Sequence, residues 1–395
     1  MKILVANLGS TSLKYRLFEI SGEKAIPLHK GGFERVTDYA AAIDDCLADL
    51  RDSGALSGDD ELAAVAFKTI IAEGLSGCVR VDDNVLRAIE ACNRIAPAHN
   101  PPYVEGIRTF SSKMPGTPMI ALFETAFYQW VPEAATRYAV PEAWFEMGVR
   151  RNGFHGASHK FIAERSAELL GREDVAERTR RLYDGGRSQP AKTPSLRVIS
   201  CHLGGSSSVT GLLDGVAIGN SFGTSPQSGL PQNNRSGDLD PFALLHAMRE
   251  AELSVEEAER VLSKESGLQA LSGGYNDLRD IKAQADEGNP AALRAIEVYV
   301  AQIRHWIGAF HLELNGLDAL VFTAGNGENN PWLRRKICRD LDGLGIVLEP
   351  PANEKAGAEE VVISRPDAPV KIIIIPTNEE LVVAREARRL LANTA

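Results

Sequence analysis

Two segments half a chain apart carry the same pattern, and this repeat constrains the fold more than any other feature. Residues 3–18 read ILVANLGSTSLKYRLF and residues 198–213 read VISCHLGGSSSVTGLL. Each is an apolar run of strand character, a small polar turn rich in Gly and Ser, and a second strand-like run, so each predicts a β-hairpin. Such a turn presents several backbone N–H groups and hydroxyls at one point, and only small residues let a phosphate approach that closely. Gly9 and Gly204 lead the turns, with Asn7 and His202 just before them. One hairpin of this kind would carry little weight. Two predict a duplicated domain that grips a polyphosphate between its halves.

At 395 residues the chain is long enough for two or three domains. Hydrophobic residues at 44% and charged residues at 24% are ordinary for a soluble globular protein, and no apolar run reaches the length of a membrane span. The net charge of −10, with no basic stripe, argues against a nucleic-acid partner. The chain enters a strand directly, with Lys2 as its only early charge, so a cytoplasmic protein without a secretory leader or membrane partner is expected. Five cysteines, Cys46, Cys78, Cys92, Cys201 and Cys338, are odd in number and lack metal-ligand spacing; they read as reduced, buried thiols.

Helical spacing recurs at 39–51, 84–95, 241–251, 254–263 and 291–314, and a last helix at 379–393 follows the N-cap candidates Thr377 and Asn378. Strands are expected at 61–71, 118–123, 319–323 and 371–375. Residues 97–102, PAHNPP, read as a stiffened loop, and 171–195 as an exposed excursion. Strands interleaved with helices imply an α/β architecture built on mixed sheets.

No GxxxxGK[ST] loop exists, so phosphate would be held by the hairpin turns. That arrangement marks the actin-like ATPase and sugar kinase superfold. Asn7 with GSTSLK (9–14), HNPP (99–102), GFHGASH (153–159), CHLGGSSS (201–208), NRSGDLDP (234–241), NDLRD (276–280), FTAGNGEN (322–329) and PTNEE (376–380) follow one another in an order and spacing that resembles the acetate kinase family over nearly the whole chain. The resemblance implies an α/β fold of two duplicated actin-like (ribonuclease H-like) domains with a nucleotide cleft between them. The first would span 1–150, completed by a C-terminal helix 379–395, and the second, nucleotide-binding, 151–378. It also implies a homodimer and reversible ATP-dependent transfer of phosphate to a short carboxylate, giving an acyl phosphate.

A carboxylate is already ionised at neutral pH, so the nucleophile needs no general base; the site must supply charge neutralisation and alignment. Residue by residue, the resemblance places His155 and Arg235 on the transferring phosphoryl group and Glu124 beside them as a third catalytic position. Asn7 and Glu379 fall at the positions of a Mg²⁺ ion, with Mn²⁺ as its substitute. Ser10, Ser12, Lys14, His202, Leu203, Gly204, Gly205, Ser206, Asp277, Leu278, Arg279, Gly325, Asn326, Gly327, Glu328 and Asn329 fall at nucleotide positions. Lys68, Ile70, Ala98, His99, Phe154 and Pro226 fall at the acyl end. Taken without the family, His155 could simply bond backbone in its turn, Arg235 could be solvated, Glu379 could be a first-turn acid favoured by the helix dipole, and FTAGNGEN would read as a turn. His159 and Tyr128 read as structural residues.

Departures from the family concentrate at the active centre. The usual HRxxHGG segment is FKTIIAEG (67–74), so Lys68 replaces an arginine that grips carboxylate, and an ammonium cannot form the same two-pronged pair. FDTAFH becomes FETAFY, placing Glu124 where Asp is usual; HLGNGSS becomes HLGGSSS, with Gly205 for Asn; PQNN precedes Arg235. Ala98 stands where leucine is usual, and Asn326 replaces an apolar residue. Retained phosphate grip with an altered acceptor end predicts a paralogue preferring propionate, butyrate or a small substituted acid over acetate. A pyrophosphate donor, another acceptor, or a weakened nucleotide-binding regulator remain as alternatives.

Overall fold

The structure, a computed structural model, describes residues 1–9, 11–58, 61–97, 99–185 and 191–394. Among the described residues twelve strands form two six-stranded sheets. The first contains β1 (Lys2–Gly9), β2 (Ser12–Ser21), β3 (Lys24–Glu34), β4 (Leu62–Thr69), β5 (Cys78–Arg80) and β6 (Met119–Phe123), in the order β3-β2-β1-β4-β6-β5. The second contains β7 (Arg197–Leu203), β8 (Ser207–Leu213), β9 (Val216–Asn220), β10 (Ala319–Thr323), β11 (Val361–Val362) and β12 (Lys371–Ile374), in the order β11-β12-β10-β7-β8-β9. Read from β9, this is the same topology: an antiparallel meander, two further parallel strands, and an antiparallel strand at the far edge. The duplication inferred from two hairpins therefore extends to both whole sheets, and the fold is the mixed α/β class expected.

Strands β6 and β10 are buried at every residue, the pattern of parallel strands covered by helices on both faces. The C-terminal helix Glu379–Thr394 returns to the first sheet, where Val382, Val383, Ala384 and Ala387 join its core. A separate core fills the second sheet, around the long helix Pro290–Glu313. A small apolar cluster of Ile71, Cys92, Ala96, Phe154 and Phe222 links segments from both halves.

Three local expectations need correcting. The stiff loop at 97–102 is not a loop throughout, because Pro101 and Pro102 sit in the first turn of the helix Asn100–Lys113, where a missing N–H breaks no intrahelical bond. The segment FTAGNGEN forms the helix Ala324–Asn329 instead of a turn, despite its two glycines. Within the excursion 171–195, Glu173–Arg180 is helical and buries Val175, Ala176 and Thr179. Among the described residues all five cysteines are free thiols, four of them buried, and no helix is long and apolar enough to cross a membrane.

Candidate active site

In open α/β sheets, ligands gather beyond the carboxyl ends of parallel strands. At that edge of the first sheet stand Asn7 near the end of β1, Lys68 near the end of β4 and Glu124 just past β6. Glu379, the first residue of the C-terminal helix, meets them there. Lys68 Nζ lies 3.0 Å from Glu124 Oε1 and pairs also with the Glu379 carboxylate. Glu124 further accepts from the Ala157 backbone N–H at 3.3 Å. Burial raises the Glu124 pKa beyond what Lys68 draws back, whereas for Glu379 burial is outweighed, chiefly by the charge and hydrogen bond of Lys68, and the pKa falls. Lys68, between two carboxylates, is held well above its ordinary range despite burial. The lysine expected at the acyl end is thus engaged by both acids of the site, because its single flexible ammonium reaches each of them.

His155 enters from the second half. It adopts a left-handed backbone (φ 59°) at the start of the helix Gly156–Leu169, an uncommon conformation for a residue with a Cβ. The next position must be glycine, since a Cβ there would lie 2.1 Å from the Glu124 carbonyl oxygen. The His155 ring stacks on His202 with centroids 4.1 Å apart, and its Nδ1 shares a 2.8 Å hydrogen bond with Ser208 Oγ. Ser208 Oγ also bonds His159 Nε2 at 2.8 Å, and His159 Nδ1 bonds Ser200 Oγ at 2.8 Å. His202 Nδ1 bonds Ser158 Oγ at 2.8 Å, and Thr377 donates to that serine at 3.0 Å. Burial, then neighbouring His202, hold His155 and His159 well below the usual imidazole range. Burial lowers His202 to about 4, although Glu379 pulls the other way, and lowers His99 to about 4 with help from the Arg235 and Lys68 charges. All four rings are therefore neutral at pH 7.

Arg235 is partly buried and donates to the Pro226 carbonyl at 3.2 Å and weakly to Gln232 Oε1 at 3.4 Å. Burial lowers its pKa, and among the described residues no carboxylate pairs with it. A desolvated guanidinium without a counter-ion is suited to an arriving anion.

The β7–β8 turn is tied down by its neighbours. Asn326 Nδ2 donates to the Gly204 carbonyl at 3.0 Å, the Asn233 N–H to the Gly205 carbonyl at 3.2 Å, and Ser206 Oγ to Gln232 Oε1 at 2.6 Å. Glu328 Oε1 receives long contacts of 3.4 Å from Thr323 Oγ1 and the Thr377 N–H, and burial raises its pKa. Asn329 bonds back to Gly325 within the helix, and Gly327 packs against the end of β10. Other expected nucleotide residues stand apart from this group. The Leu203 and Leu278 side chains belong to the hydrophobic core, leaving only their backbone to face a ligand. Asp277 caps the helix Leu278–Asp286 and pairs with Arg279 at 2.6 Å on the surface. Lys14 is exposed and pairs with Glu34 at 3.1 Å, while Ser12 sits opposite Gly9 in the first hairpin. Ser10 and Ala98 lie outside the described residues.

The residues at this edge fit a divalent cation. Asn7 donates through Nδ2 to Glu380 at 3.2 Å, which leaves Oδ1 buried without a partner. One amide oxygen and the Glu379 carboxylate suit a hard ion that retains waters and also takes phosphate oxygens. No group of three or more His, Cys, Asp or Glu side chains among the described residues could form a protein-only cage.

The sequence did not reveal Ser158, Ser200, Ser208 and Thr377 as partners of the histidines, or Phe222, whose ring meets His155 edge-on at 5.2 Å and Phe154 at 5.6 Å. Ser208 belongs to the CHLGGSSS motif; its place on β8 opposite His202 in the register was the available signal.

A model of the acetokinase family matches residues 2–385. The chain is 37% identical to an acetate kinase of Carboxydothermus hydrogenoformans, with 100% of both chains covered, and 38% identical to one of Natranaerobius thermophilus, covering 99% and 100%. Among solved structures it resembles the acetate kinase of Porphyromonas gingivalis, at a TM-score of 0.85, 32% identity and 99% coverage of each chain. A propionate kinase from Francisella tularensis gives a TM-score of 0.82, 30% identity and 98% coverage of each.

Proposed function

The chain belongs to the acetokinase family, an ATP-dependent phosphotransferase with a carboxyl group as acceptor, and from that premise we propose how its residues perform the reaction. The observation that carries the proposal is Arg235, partly buried and without a carboxylate partner among the described residues, close enough to lower the pKa of His155 and His99. Its guanidinium and the neutral His155 imidazole stabilise negative charge on the phosphoryl group as it passes from ATP to the carboxylate. The acceptor attacks as the anion, so no side chain need remove a proton. Asn7 and Glu379 hold Mg²⁺, or Mn²⁺ in its place; when bound, that ion neutralises phosphate charge. The turn 203–206 faces the polyphosphate, with Asn326 bracing it.

Ile70, Phe154 and Phe222 wall the acyl end; the preference for an acid longer than acetate is drawn from the alanine at position 98, since acetate and propionate kinases resemble the chain about equally. A main core on each sheet supports two domains, 1–150 with 379–395 and 151–378, with Phe127 and Tyr128 packing across that boundary onto the second sheet and Ala157 onto the first. The helix Pro241–Glu250 buries no side chain and, with Val255, exposes Leu239, Phe242 and Leu245, which supports a homodimer through this face. A cytoplasmic location accords with the family and the free thiols.

Trapping acyl phosphate with hydroxylamine tests the activity across a series of short carboxylates with ATP and Mg²⁺. Hydroxamate should form fastest with an acid of three or four carbons. Absence of hydroxamate from every acid, with folded protein, would overturn the assignment; hydroxamate formed with pyrophosphate and not ATP would overturn the donor.

A further inference from the structure

Lys68 bridges the two acids of the site, and one of them, Glu379, is the carboxylate assigned above to the divalent cation. All three side chains are largely withdrawn from water, with exposures of 18% for Lys68, 3% for Glu124 and 16% for Glu379. Two carboxylates and one ammonium leave the group one negative charge in excess. Adding a divalent ion at Glu379 and Asn7 reverses the imbalance and sets that ion against the ammonium on the same carboxylate, where the desolvated surroundings strengthen repulsion. A guanidinium fork could hold both carboxylates at once. Lysine has one compact charge on a four-carbon stem and can release one partner while keeping the other. Two unpartnered polar atoms lie in this neighbourhood, since Asn7 Oδ1 and His99 Nδ1 are both buried without hydrogen-bond partners, and the Lys68 charge is felt at His99.

We propose that Lys68 is an exchangeable internal cation: it occupies the Glu379 carboxylate until a divalent ion displaces it, and the freed ammonium, still anchored on Glu124, then receives the acceptor carboxylate at the His99 side. This inference rests on the assignment of Asn7 and Glu379 to the metal. It makes divalent-ion binding and acceptor binding mutually dependent, and by thermodynamic linkage each must tighten the other by the same factor. The lysine that departs from the family's arginine thereby gains a timing role that a fork would lack.

Direct binding tests it without turnover. Free Mn²⁺ is followed by its electron paramagnetic resonance signal, and propionate binding by calorimetry, with the full-length protein and no nucleotide. In the unmodified protein, saturating Mn²⁺ should tighten propionate binding about tenfold, and saturating propionate should tighten Mn²⁺ binding equally. Lys68→Met should bind Mn²⁺ about tenfold more tightly and lose the linkage, whereas Lys68→Arg should gain no Mn²⁺ affinity. Absence of linkage in the unmodified protein overturns the proposal whether or not the methionine variant folds. Unchanged or weaker Mn²⁺ binding by folded Lys68→Met also overturns it. Glu379→Gln separates the two levels: if it abolishes Mn²⁺ binding, the metal assignment stands independently of Lys68, and if it leaves binding intact, that assignment fails.

Discussion

Two buried ionic groups share the helix Glu379–Thr394, and their charges are apportioned in opposite ways. Near its middle, Glu386 lies between Lys160 at 2.9 Å and Arg389 at 2.8 Å, and Arg389 reaches on to Glu23 at 2.5 Å. The buried Glu386 thus has two cations to itself, while the more exposed Glu23 and Asp184, the latter 3.9 Å from Arg389, complete the group toward the surface; Lys160 and Glu386 are each only 2% exposed. At the start of the helix, Lys68 alone serves Glu124 and Glu379. The balanced group is a seam that fastens the C-terminal helix to the helix Gly156–Leu169. The unbalanced group sits where three parallel strands end and has an orphaned amide oxygen beside it. The comparison teaches that burial alone does not mark a functional ionic cluster; a local deficit of positive charge does, because a desolvated surplus carboxylate is costly unless a ligand completes it.

The largest expected effect breaks the balanced seam. Lys160→Met or Glu386→Gln removes one partner of a buried pair and should lower unfolding free energy by about 3–5 kcal/mol in urea titrations. Protein that remains folded should keep its turnover number, and a turnover loss without a stability loss would reverse the roles given to the two groups. For the phosphoryl-binding side chains of the site the expectation is the converse. Arg235→Ala and His155→Ala should each cut turnover by at least about a hundredfold, roughly 2.7 kcal/mol of transition-state stabilisation, with circular dichroism unchanged. Near-normal turnover in both variants would remove them from the chemistry.

A further effect, spread over a pH range, acts through the neutral rings of the site. His99 and His202 titrate near 4 in the folded chain, against 6.5 ordinarily. Below about pH 6.5 the unfolded chain takes up protons that the native state refuses, so stability is full above that pH and falls as pH drops toward 4. Each ring contributes up to about 1.4 kcal/mol per pH unit in that window. The urea midpoint should therefore decline between pH 7 and pH 5, before most carboxylates titrate. A flat midpoint would mean that these rings are not held neutral by burial.

Much of this was legible from the chain because the signals were local. The repeated hairpin forecast a duplicated domain, and the resemblance to the acetate kinase family, carried by motifs along the whole chain, assigned Asn7, His155, Arg235 and Glu379 to one site. What stayed hidden was pairing across distance. Lys68 and Glu379 are 311 positions apart, and Thr377 lies 219 from Ser158. No periodicity within a segment encodes such contacts; they arise from strand ends brought side by side. The sequence identified Lys68 as a departure from the family, but its engagement by two carboxylates required the fold. Pro101 and Pro102 misled for a different reason: proline stops a helix from within yet suits its first turn, and the residue pattern alone did not say which applied.

The smallest expected effect concerns a region without charge, the apolar cluster of Ile71, Cys92, Ala96, Phe154 and Phe222 with Ile70 packed against it. It carries no ion pair, so it should govern which acid is chosen and leave the rate-determining electrostatics alone. By the family resemblance, alanine at position 98 stands in for a leucine of the acyl end, a difference of roughly three carbons, and Ile70 would refill part of that space if valine is usual there. A net gain of about one methylene for the substrate is worth on the order of 0.8 kcal/mol, or roughly a fourfold change in relative kcat/KM. Ala98→Leu should accordingly shift the ratio of propionate to acetate turnover about fourfold toward acetate, with kcat on the better acid nearly constant. The acyl chain-length profile, measured by hydroxamate formation, checks it. A profile unchanged by Ala98→Leu would mean that this position does not line the acceptor, and the preference for a longer acid would lose its basis. A large fall in kcat on every acid would instead tie the apolar wall to the alignment of the carboxylate with Arg235, making selectivity and rate properties of one surface.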